Sequence, residues 1–300
     1  MTARVGFVGL GTMGLPMARN LLAGGFQVSG WARGPATAEK ASAAGIGLRA
    51  TLADLARDVD FVVTMVTTSS DVEELVMADG GLLGAMRPGT VLVDMSTIAP
   101  DTSRRLALKC AARGVDFLDA PVSGGSFGAE EGTLSIMAAG DPAAFERARP
   151  LFESMGRPDR IFHTGAAGSG EVVKLVNNML VGSIAAATLE ALLLGVRAGV
   201  PLRTLVDVVS VSSGASTQLD GQLRLRGLAG HFEPGFATDL LAKDLRLALD
   251  VAAQQGKEAP FAALALKQFT DSQAAGHGRQ DYSAVILEME HGIDPPPRLS

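Results

Sequence analysis

A lysine and an asparagine lie one helical turn apart near the middle of the chain. Lys174 and Asn178 belong to the segment Gly-Glu-Val-Val-Lys-Leu-Val-Asn-Asn, residues 170–178, in which valine and leucine flank the lysine. Residues four apart project from one helix face, so an ammonium and a carboxamide can meet the same small molecule. A lysine among apolar residues is seldom buried unless its side chain has a partner or a function, although a solvated surface lysine is the ordinary alternative. The pair predicts a site where Lys174 donates a proton and Asn178 holds a polar group.

A glycine-rich turn lies close to the N-terminus. Residues 9–14 read Gly-Leu-Gly-Thr-Met-Gly, directly after the apolar strand pattern of residues 4–9 and before a helical pattern. Glycines at this spacing allow a tight turn, close approach of a pyrophosphate to backbone N–H groups, and dense helix packing. An ordinary glycine turn is the alternative, but the strand and helix on either side favour dinucleotide binding. The predicted residues are Gly9, Gly11, Thr12, Met13 and Gly14.

The end of the second predicted strand bears on which dinucleotide is bound. An NAD site usually places an acidic residue about 20 residues after the glycines, to bind the ribose 2′-hydroxyl. Here the first acidic residue is Glu39, and the strand ends in Trp-Ala-Arg at Arg33. An arginine there can pair with the 2′-phosphate of NADP. We expect NADP(H) to be preferred and NAD(H) to be possible, the more so if Arg33 is only a solvated loop residue.

Composition restricts the class of protein. The chain has 300 residues, of which 47% are hydrophobic and 5% aromatic, and a net charge of -6. This is long enough for two aliphatic domains, and the acidic balance argues against a nucleic-acid partner. Cys110 is the only cysteine and the 4 histidines are scattered, so we expect no disulfide and no metal site. Because Asn177, Asn178 and Glu190 interrupt the longest apolar run, we expect no membrane span and a soluble, cytoplasmic protein.

The order of elements predicts two domains. Strand and helix patterns alternate up to about residue 165, which indicates a doubly wound parallel sheet, an α/β Rossmann domain covering residues 1–165. From there the pattern is helical, beginning with one long helix over residues 170–198, so we expect an all-helical domain over residues 166–300. The Pro-Pro-Pro tail at 295–297 is expected to be loose.

Three further segments accompany the glycine turn and Lys174. They are Asp-Met-Ser-Thr-Ile at 94–98, Asp-Ala-Pro-Val-Ser-Gly-Gly at 119–125, and the stretch from Phe236 to Lys243-Asp244. In this combination and order, over nearly the whole chain, they resemble the β-hydroxyacid dehydrogenase family. The resemblance implies a Rossmann domain, a long interdomain helix and an all-helical domain through which subunits pair, giving a homodimer or homotetramer.

The resemblance also implies roles for individual residues. Lys174 is expected to act as general acid in carbonyl reduction and as base in alcohol oxidation, while Asn178 orients the reacting oxygen. The ammonium would stabilise and protonate the oxygen that gains charge when hydride reaches the carbonyl carbon. Ser123, Gly124 and Gly125 would hold the substrate carboxylate, although a plain turn is the alternative for these three.

Other positions correspond to the family's cofactor and pocket residues. Thr97 would lie beside the nicotinamide, and Val66 with Thr67 would form the cofactor loop, which often reads Leu-Pro in the family. Lys243 corresponds to a second lysine that reaches cofactor and substrate, with Asp244 supporting it. A helix-surface ion pair between these two neighbours is the alternative. Phe236 would wall the substrate pocket, and Tyr282 is expected to serve in packing.

Two segments bear on the substrate. Residues 132–137 and 231–236 are more similar to tartronate semialdehyde reductases than to 3-hydroxyisobutyrate dehydrogenases. We therefore expect a small 3-hydroxy acid and its semialdehyde as the substrate pair, with D-glycerate and tartronate semialdehyde first. L-serine and 3-hydroxyisobutyrate are the alternatives. An imine reductase is disfavoured because those enzymes generally lack the lysine, and a non-catalytic nucleotide-binding module is disfavoured because the site residues are all present.

Overall fold

The computed structural model describes residues 2–299, which form two compact units. The first unit ends at Lys174 and the second begins at Leu175. Lys174 and Leu175 both lie within one helix, so this helix starts in the α/β unit and continues into the helical unit.

The described part of the first unit is built on a single sheet of nine strands. The strands are β1 Arg4–Val8, β2 Gln27–Trp31, β3 Gly47–Leu48, β4 Phe61–Thr64, β5 Val91–Asp94, β6 Asp116–Asp119, β7 Val122–Ser123, β8 Leu134–Gly140 and β9 Gly156–His163. Their order across the sheet is β3-β2-β1-β4-β5-β6-β8-β7, and β9 also pairs with β8. Strands β1 to β6 run parallel in the order of a dinucleotide-binding sheet, which confirms the predicted α/β class.

Within residues 2–299, eight helices accompany this sheet. They are α1 Gly14–Ala23, α2 Pro35–Ala43, α3 Leu52–Ala56, α4 Ser69–Met77, α5 Leu82–Ala85, α6 Pro100–Ala111, α7 Gly125–Glu131 and α8 Pro142–Met155. The central strands are buried on both faces, because helices cover the sheet on either side. Val5 and Phe7 of β1 pack into the core on one face, while Val8 packs into the core on the other.

One end of the sheet departs from the parallel pattern. β8 runs antiparallel to β6 and to β7, and β9 lies parallel to β8. The sequence predicts strands at residues 4–9, 27–31, 61–66, 90–94, 116–118 and 134–138, so β3, β7 and β9 were not expected. β3 and β7 have only two residues each, and β9 is largely exposed, so none of them carries an apolar periodicity.

Helix α9, Ser169–Arg197, has 29 residues and is the longest element in the part of the chain that the structure describes. Its bounds lie within one residue of the predicted 170–198. No membrane span was expected, and by length and composition alone this helix is apolar enough to cross a membrane, with a mean hydropathy of 2.0 over 18 residues. The helix also carries buried Lys174 and Asn178 and packs Leu189 and Leu192 into the core of the second unit. Its apolar surface is therefore at least partly that of a core helix.

The rest of the second unit is helical. Its α-helices are α10 Leu202–Ser210, α11 Thr238–Gln254, α12 Pro260–Ser272 and α13 Ile286–Met289, with short 3₁₀ or π turns at Leu219–Leu223, Gly227–Ala229, Gln273–His277 and Tyr282–Val285. The expectation of a loose proline-rich tail was wrong. The Leu299 N–H donates to the Leu228 carbonyl at 2.7 Å, and Arg298 Nη2 lies 2.7 Å from Glu290 Oε1, so the tail is tied to its own unit.

Candidate active site

A cavity of about 300 Å³ opens beside the glycine turn that follows β1. Five of the predicted cofactor residues line it, namely Gly9, Gly11, Arg33, Val66 and Thr67. The lining thus comes from the ends of β1, β2 and β4, which meet at the same edge of the parallel sheet. Ligands of doubly wound folds bind at this edge, outside the carboxyl ends of the strands.

Two of the three glycines of this turn, Gly9 and Gly14, are required by the surrounding backbone. Gly9 has φ +95°, and a Cβ there would lie 2.1 Å from the Met65 carbonyl oxygen. A Cβ on Gly14 would lie 2.0 Å from the Gly9 oxygen, so Gly14 allows α1 to pack against the turn. A Cβ on Gly11 would meet no atom within 4 Å and would instead project into open space. The bare backbone beside the cavity fits the pyrophosphate of a dinucleotide.

The far side of the cavity is lined by Trp31, Arg33 and Thr37, at the end of β2 and the start of α2. Arg33 is exposed, where its guanidinium can reach a phosphate. Asp71 is an acidic residue in the lining, but its Oδ2 accepts from the Thr68 N–H at 3.0 Å and from Thr68 Oγ1 at 2.6 Å. The carboxylate therefore caps the first turn of α4.

The predicted cofactor loop is held by a buried hydrogen-bond network. The Val66 N–H donates to Ser96 Oγ at 2.9 Å, and Ser96 Oγ donates to Asp94 Oδ1 at 2.6 Å. Thr64 Oγ1 donates to the same Asp94 oxygen at 2.7 Å. These bonds connect the ends of β4 and β5, so the loop at Val66 and the segment that leads to Thr97 are held together.

The predicted carboxylate cradle lies at the junction of β7 and α7. Ser123 is the last residue of β7 and is paired with Ser135 of β8. Gly124 has φ +136° and Gly125 has φ +62°, conformations that favour glycine. Gly124 is exposed, and Ser123 and Gly125 are half-buried. Binding of a substrate carboxylate by these three residues stays a prediction.

Lys174 and Asn178 lie on α9 and are 7% and 2% exposed. Asp119, at the end of β6, accepts from the Gly168 N–H at 2.7 Å and from the Glu171 N–H at 3.2 Å, which ties down the start of this helix. Burial raises the pKa of Asp119 to about 6; its backbone hydrogen bonds act in the opposite direction, and nearby Asp94 raises it further. A pKa near 6 leaves the carboxylate mostly ionised at neutral pH.

Asn178 and Lys243 are connected through Asp244 in the second unit. Asn178 Nδ2 donates to Asp244 Oδ2 at 2.6 Å, and Lys243 Nζ lies 2.8 Å from Asp244 Oδ1. The ion pair between Lys243 and Asp244 that was considered as an alternative thus exists, but it is not a surface feature, because Asp244 is only 2% exposed. The predicted orienting amide and the predicted second lysine share one buried carboxylate.

Phe236 is half-buried, and its ring meets Tyr282 edge-on with centroids 6.0 Å apart. The Phe236 N–H donates to Asp281 Oδ2 at 3.1 Å, and this buried carboxylate also accepts from Gln222 Nε2 at 2.7 Å and from the Ser283 N–H at 3.1 Å. The loop that carries Phe236 is therefore built around Asp281. Tyr282 packs against Phe236, as expected.

The predicted cofactor residues do not all line the same cavity. Among the described residues, Thr12, Met13 and Gly14 continue the glycine turn into α1 but do not line the 300 Å³ cavity. Sequence reasoning assigned no role to Asp119, Glu171 or Asp281, although each is fully buried. For Asp119, an acidic residue within the otherwise apolar run of residues 117–122 was the available signal. The polar stretch of residues 278–283 gave no such signal for Asp281.

Comparison with known proteins covers both units. Residues 4–165 match the family model of the NAD binding domain of 6-phosphogluconate dehydrogenase. Residues 168–289 match the NAD-binding domain of NADP-dependent 3-hydroxyisobutyrate dehydrogenase. The chain belongs to the β-hydroxyacid dehydrogenase family. It is an NAD(P)-dependent oxidoreductase, and the predicted family and enzyme class are confirmed.

Relatives within the β-hydroxyacid dehydrogenase family are similar over almost their full length. The 2-(hydroxymethyl)glutarate dehydrogenase of Eubacterium barkeri is 39% identical, over 96% of this chain and 95% of its own. The NAD-dependent L-serine dehydrogenase of Pseudomonas aeruginosa is 38% identical, over 94% and 96%. The structure of Mycobacterium tuberculosis 3-hydroxyisobutyrate dehydrogenase with L-serine superposes with a TM-score of 0.88 at 35% identity, covering 96% of this chain and 99% of that one. Substrates vary among these family members, and the roles of individual residues in this chain stay predictions.

Proposed function

We propose that this chain reduces small 3-oxo acids with NADPH and oxidises the corresponding 3-hydroxy acids in the reverse direction. The leading pair is tartronate semialdehyde and D-glycerate, on the strength of residues 132–137 and 231–236. The observation that carries the proposal is a buried lysine, Lys174, one turn from buried Asn178 on a helix of a β-hydroxyacid dehydrogenase.

Each site residue has a separate role in such a reaction. A bound nicotinamide supplies or accepts the hydride. Lys174 donates a proton to the carbonyl oxygen during reduction and removes it during oxidation, and its charge stabilises that oxygen as it becomes negative. Asn178 offers a hydrogen bond to the same oxygen. Ser123 and the backbone after it bind the carboxylate, which fixes the distance between the reacting carbon and the acid group.

The substrates named for three relatives share one arrangement. 2-(Hydroxymethyl)glutarate, L-serine and 3-hydroxyisobutyrate each carry a primary alcohol on the carbon next to the one that bears a carboxylate. D-glycerate has the same arrangement, with a hydroxyl as the remaining substituent. An anion cradle at Ser123 and a proton carrier at Lys174 would recognise the shared part, so the remaining substituent distinguishes the candidates.

NADP(H) is the proposed cofactor, because Arg33 lines the cavity at the end of β2, where an NAD site usually has an acidic residue.

A homodimer or homotetramer is also proposed. On α9, Val173, Val176, Leu180 and Ile184 are 41%, 50%, 52% and 36% exposed. Their spacing places them on one face of the helix, and a contiguous exposed apolar face is typical of a subunit interface. Light scattering coupled to gel filtration tests the assembly.

The experiment that tests the activity is a panel of alcohols with NAD and with NADP, followed at the absorbance of reduced nicotinamide. The panel holds D-glycerate, L-serine, 3-hydroxyisobutyrate and 2-(hydroxymethyl)glutarate. We expect D-glycerate with NADP to give the highest kcat/KM, and Lys174→Ala to lower kcat by at least about 100-fold. Lys109→Ala, at an exposed lysine of the first unit, is the matched control. Preference for another acid would overturn the substrate assignment, and an active Lys174→Ala would overturn the mechanism.

A further inference from the structure

The carboxylate of Asp119 bonds to two different N–H groups at the start of α9. Oδ1 accepts from Gly168 at 2.7 Å and Oδ2 accepts from Glu171 at 3.2 Å. The first N–H groups of a helix have no partner within it, and leaving such a group unsatisfied in a buried position is costly. Asp119 is fully buried, so it serves this need with both of its oxygens.

Glu171 ties the same turn of α9 to a second strand end. Its Oε2 accepts from the Ile98 N–H at 3.2 Å, and the side chain is fully buried. Ile98 directly follows Thr97, the residue expected beside the nicotinamide. The first turn of α9 is therefore bonded to the residues that follow β5 as well as to the end of β6.

Backbone packing leaves this turn little room to shift. A Cβ on Gly170 would lie 2.2 Å from the Met137 carbonyl oxygen and 2.9 Å from Asp119 Oδ2. Gly168 has φ +88°, and a Cβ there would lie 2.9 Å from the Pro100 oxygen. The chain thus approaches β8 and the start of α6 at distances that only glycine permits.

We propose that Asp119 is a positioning residue for proton transfer: through the first turn of α9, it sets where Lys174 stands relative to Thr97. Lys174 follows Glu171 by three residues, which places it on the same helix face and about 4.5 Å further along the axis. Hydride and proton must reach the same carbonyl group, and a misplacement of about 1 Å can cost about 100-fold in rate. Asp119 itself touches no reacting atom. The inference rests on the proposed function, in which Lys174 carries the proton.

The test compares Asp119→Asn with Asp141→Asn. Asp141 is an exposed aspartate that caps α8, and one of its oxygens accepts from both Ala143 and Ala144. An asparagine keeps that single acceptor at position 141, but at position 119 its amide group would face one of two N–H groups. The isosteric change therefore breaks the arrangement at α9 and preserves the one at α8.

We measure kcat per cofactor-binding site at pH 7.5, where Asp119 is ionised. Binding-competent sites are counted by NADP(H) titration of the fluorescence of Trp31, the only tryptophan, which lines the cofactor cavity. For Asp119→Asn we expect kcat per site to fall about 10- to 100-fold with nearly unchanged cofactor affinity. For Asp141→Asn we expect wild-type values. A loss confined to the number of competent sites, with kcat per site unchanged, would mean a purely structural role and overturns the proposal.

A second readout needs no turnover. Competitive acetylation in the free protein compares Lys174 with exposed Lys109. Releasing the start of α9 should raise the relative labelling of Lys174 about tenfold in Asp119→Asn and not in Asp141→Asn. If wild type oxidises no acid of the panel, the proposed function fails, and this readout still decides whether Asp119 positions Lys174. Unchanged labelling of Lys174 overturns the inference in either case.

Should Asp119→Asn fail to accumulate as folded protein, Asp119→Glu takes its place. That variant keeps the charge and both oxygens but moves them outward by one methylene. Under the proposal it shifts the helix start and again lowers kcat per site by at least about tenfold. Wild-type kcat per site and wild-type Lys174 labelling in Asp119→Glu would contradict it.

Discussion

Asn178 Nδ2 donates to Asp244 Oδ2 at 2.6 Å, and both side chains are buried. The bond fixes which end of the carboxamide faces Asp244, because only the nitrogen can donate. Asn178 Oδ1 in turn accepts from Asn177 Nδ2 at 3.0 Å. In the proposed mechanism, the second N–H of the Asn178 amide binds the substrate oxygen. The hydrogen bond to Asp244 therefore fixes the orientation of the Asn178 carboxamide.

Replacing Asp244 by asparagine should lower kcat by about tenfold or more, because an amide can offer its own N–H₂ to Asn178 and allow that carboxamide to turn over. The measurement is steady-state oxidation of the best panel acid with NADP. Asp250→Asn, at an exposed aspartate of the same helix, is the control and should retain wild-type kinetics. Equal kcat for the two variants would show that Asp244 does not orient Asn178.

Replacing Arg33 by alanine should weaken NADP(H) binding by about 10- to 100-fold and leave NAD(H) binding nearly unchanged, because a charge-assisted pair with the 2′-phosphate is lost. Affinities for both cofactors follow from the fluorescence of Trp31 in the same cavity. Arg113→Ala removes an exposed arginine elsewhere in the first unit and is the control. If the affinities for both cofactors fall equally, Arg33 does not bind the 2′-phosphate.

Asp119 should affect stability most in mild acid. Burial raises its pKa from 3.8 to about 6, so between these pH values the folded chain holds a proton that the unfolded chain releases. The free energy of unfolding of wild type minus that of Asp119→Asn should therefore be largest near pH 4. It should decrease as the pH rises through 6, by at most about 3 kcal/mol.

Urea unfolding at pH values from 4 to 7.5, expressed as that difference, measures the effect. Asp141→Asn provides the comparison, because Asp141 is exposed and caps a helix in the same unit. A difference for Asp119→Asn that rises with pH would mean that hydrogen bonding to the ionised form outweighs desolvation.

Cys110 should be inert in the folded protein. The thiol is fully buried on α6, and burial raises its pKa to about 12, so almost no thiolate is present near neutral pH. We expect a chromogenic disulfide reagent to react at pH 8 only as fast as the chain unfolds, and immediately in denaturant. Rapid reaction of one thiol per native chain would show that α6 opens locally.

Much of this protein follows from local sequence pattern. The glycine turn at residues 9–14 could be identified because an apolar strand precedes it and a helix follows it. The limits of α9 differ by one residue from those predicted, because helical periodicity is a property of neighbours three and four apart. The family resemblance similarly depends on short segments in a fixed order, and comparison with known proteins bears it out.

Tertiary structure decided which distant groups meet. The bonds from Asp119 to Gly168 and from Asn178 to Asp244 cross 49 and 66 residues. No local periodicity encodes such partners, since they depend on how strands and helices pack and on the need to satisfy each buried polar group. The antiparallel strand β8 and the anchored tail at Leu299 were settled in the same way, by pairing with distant backbone.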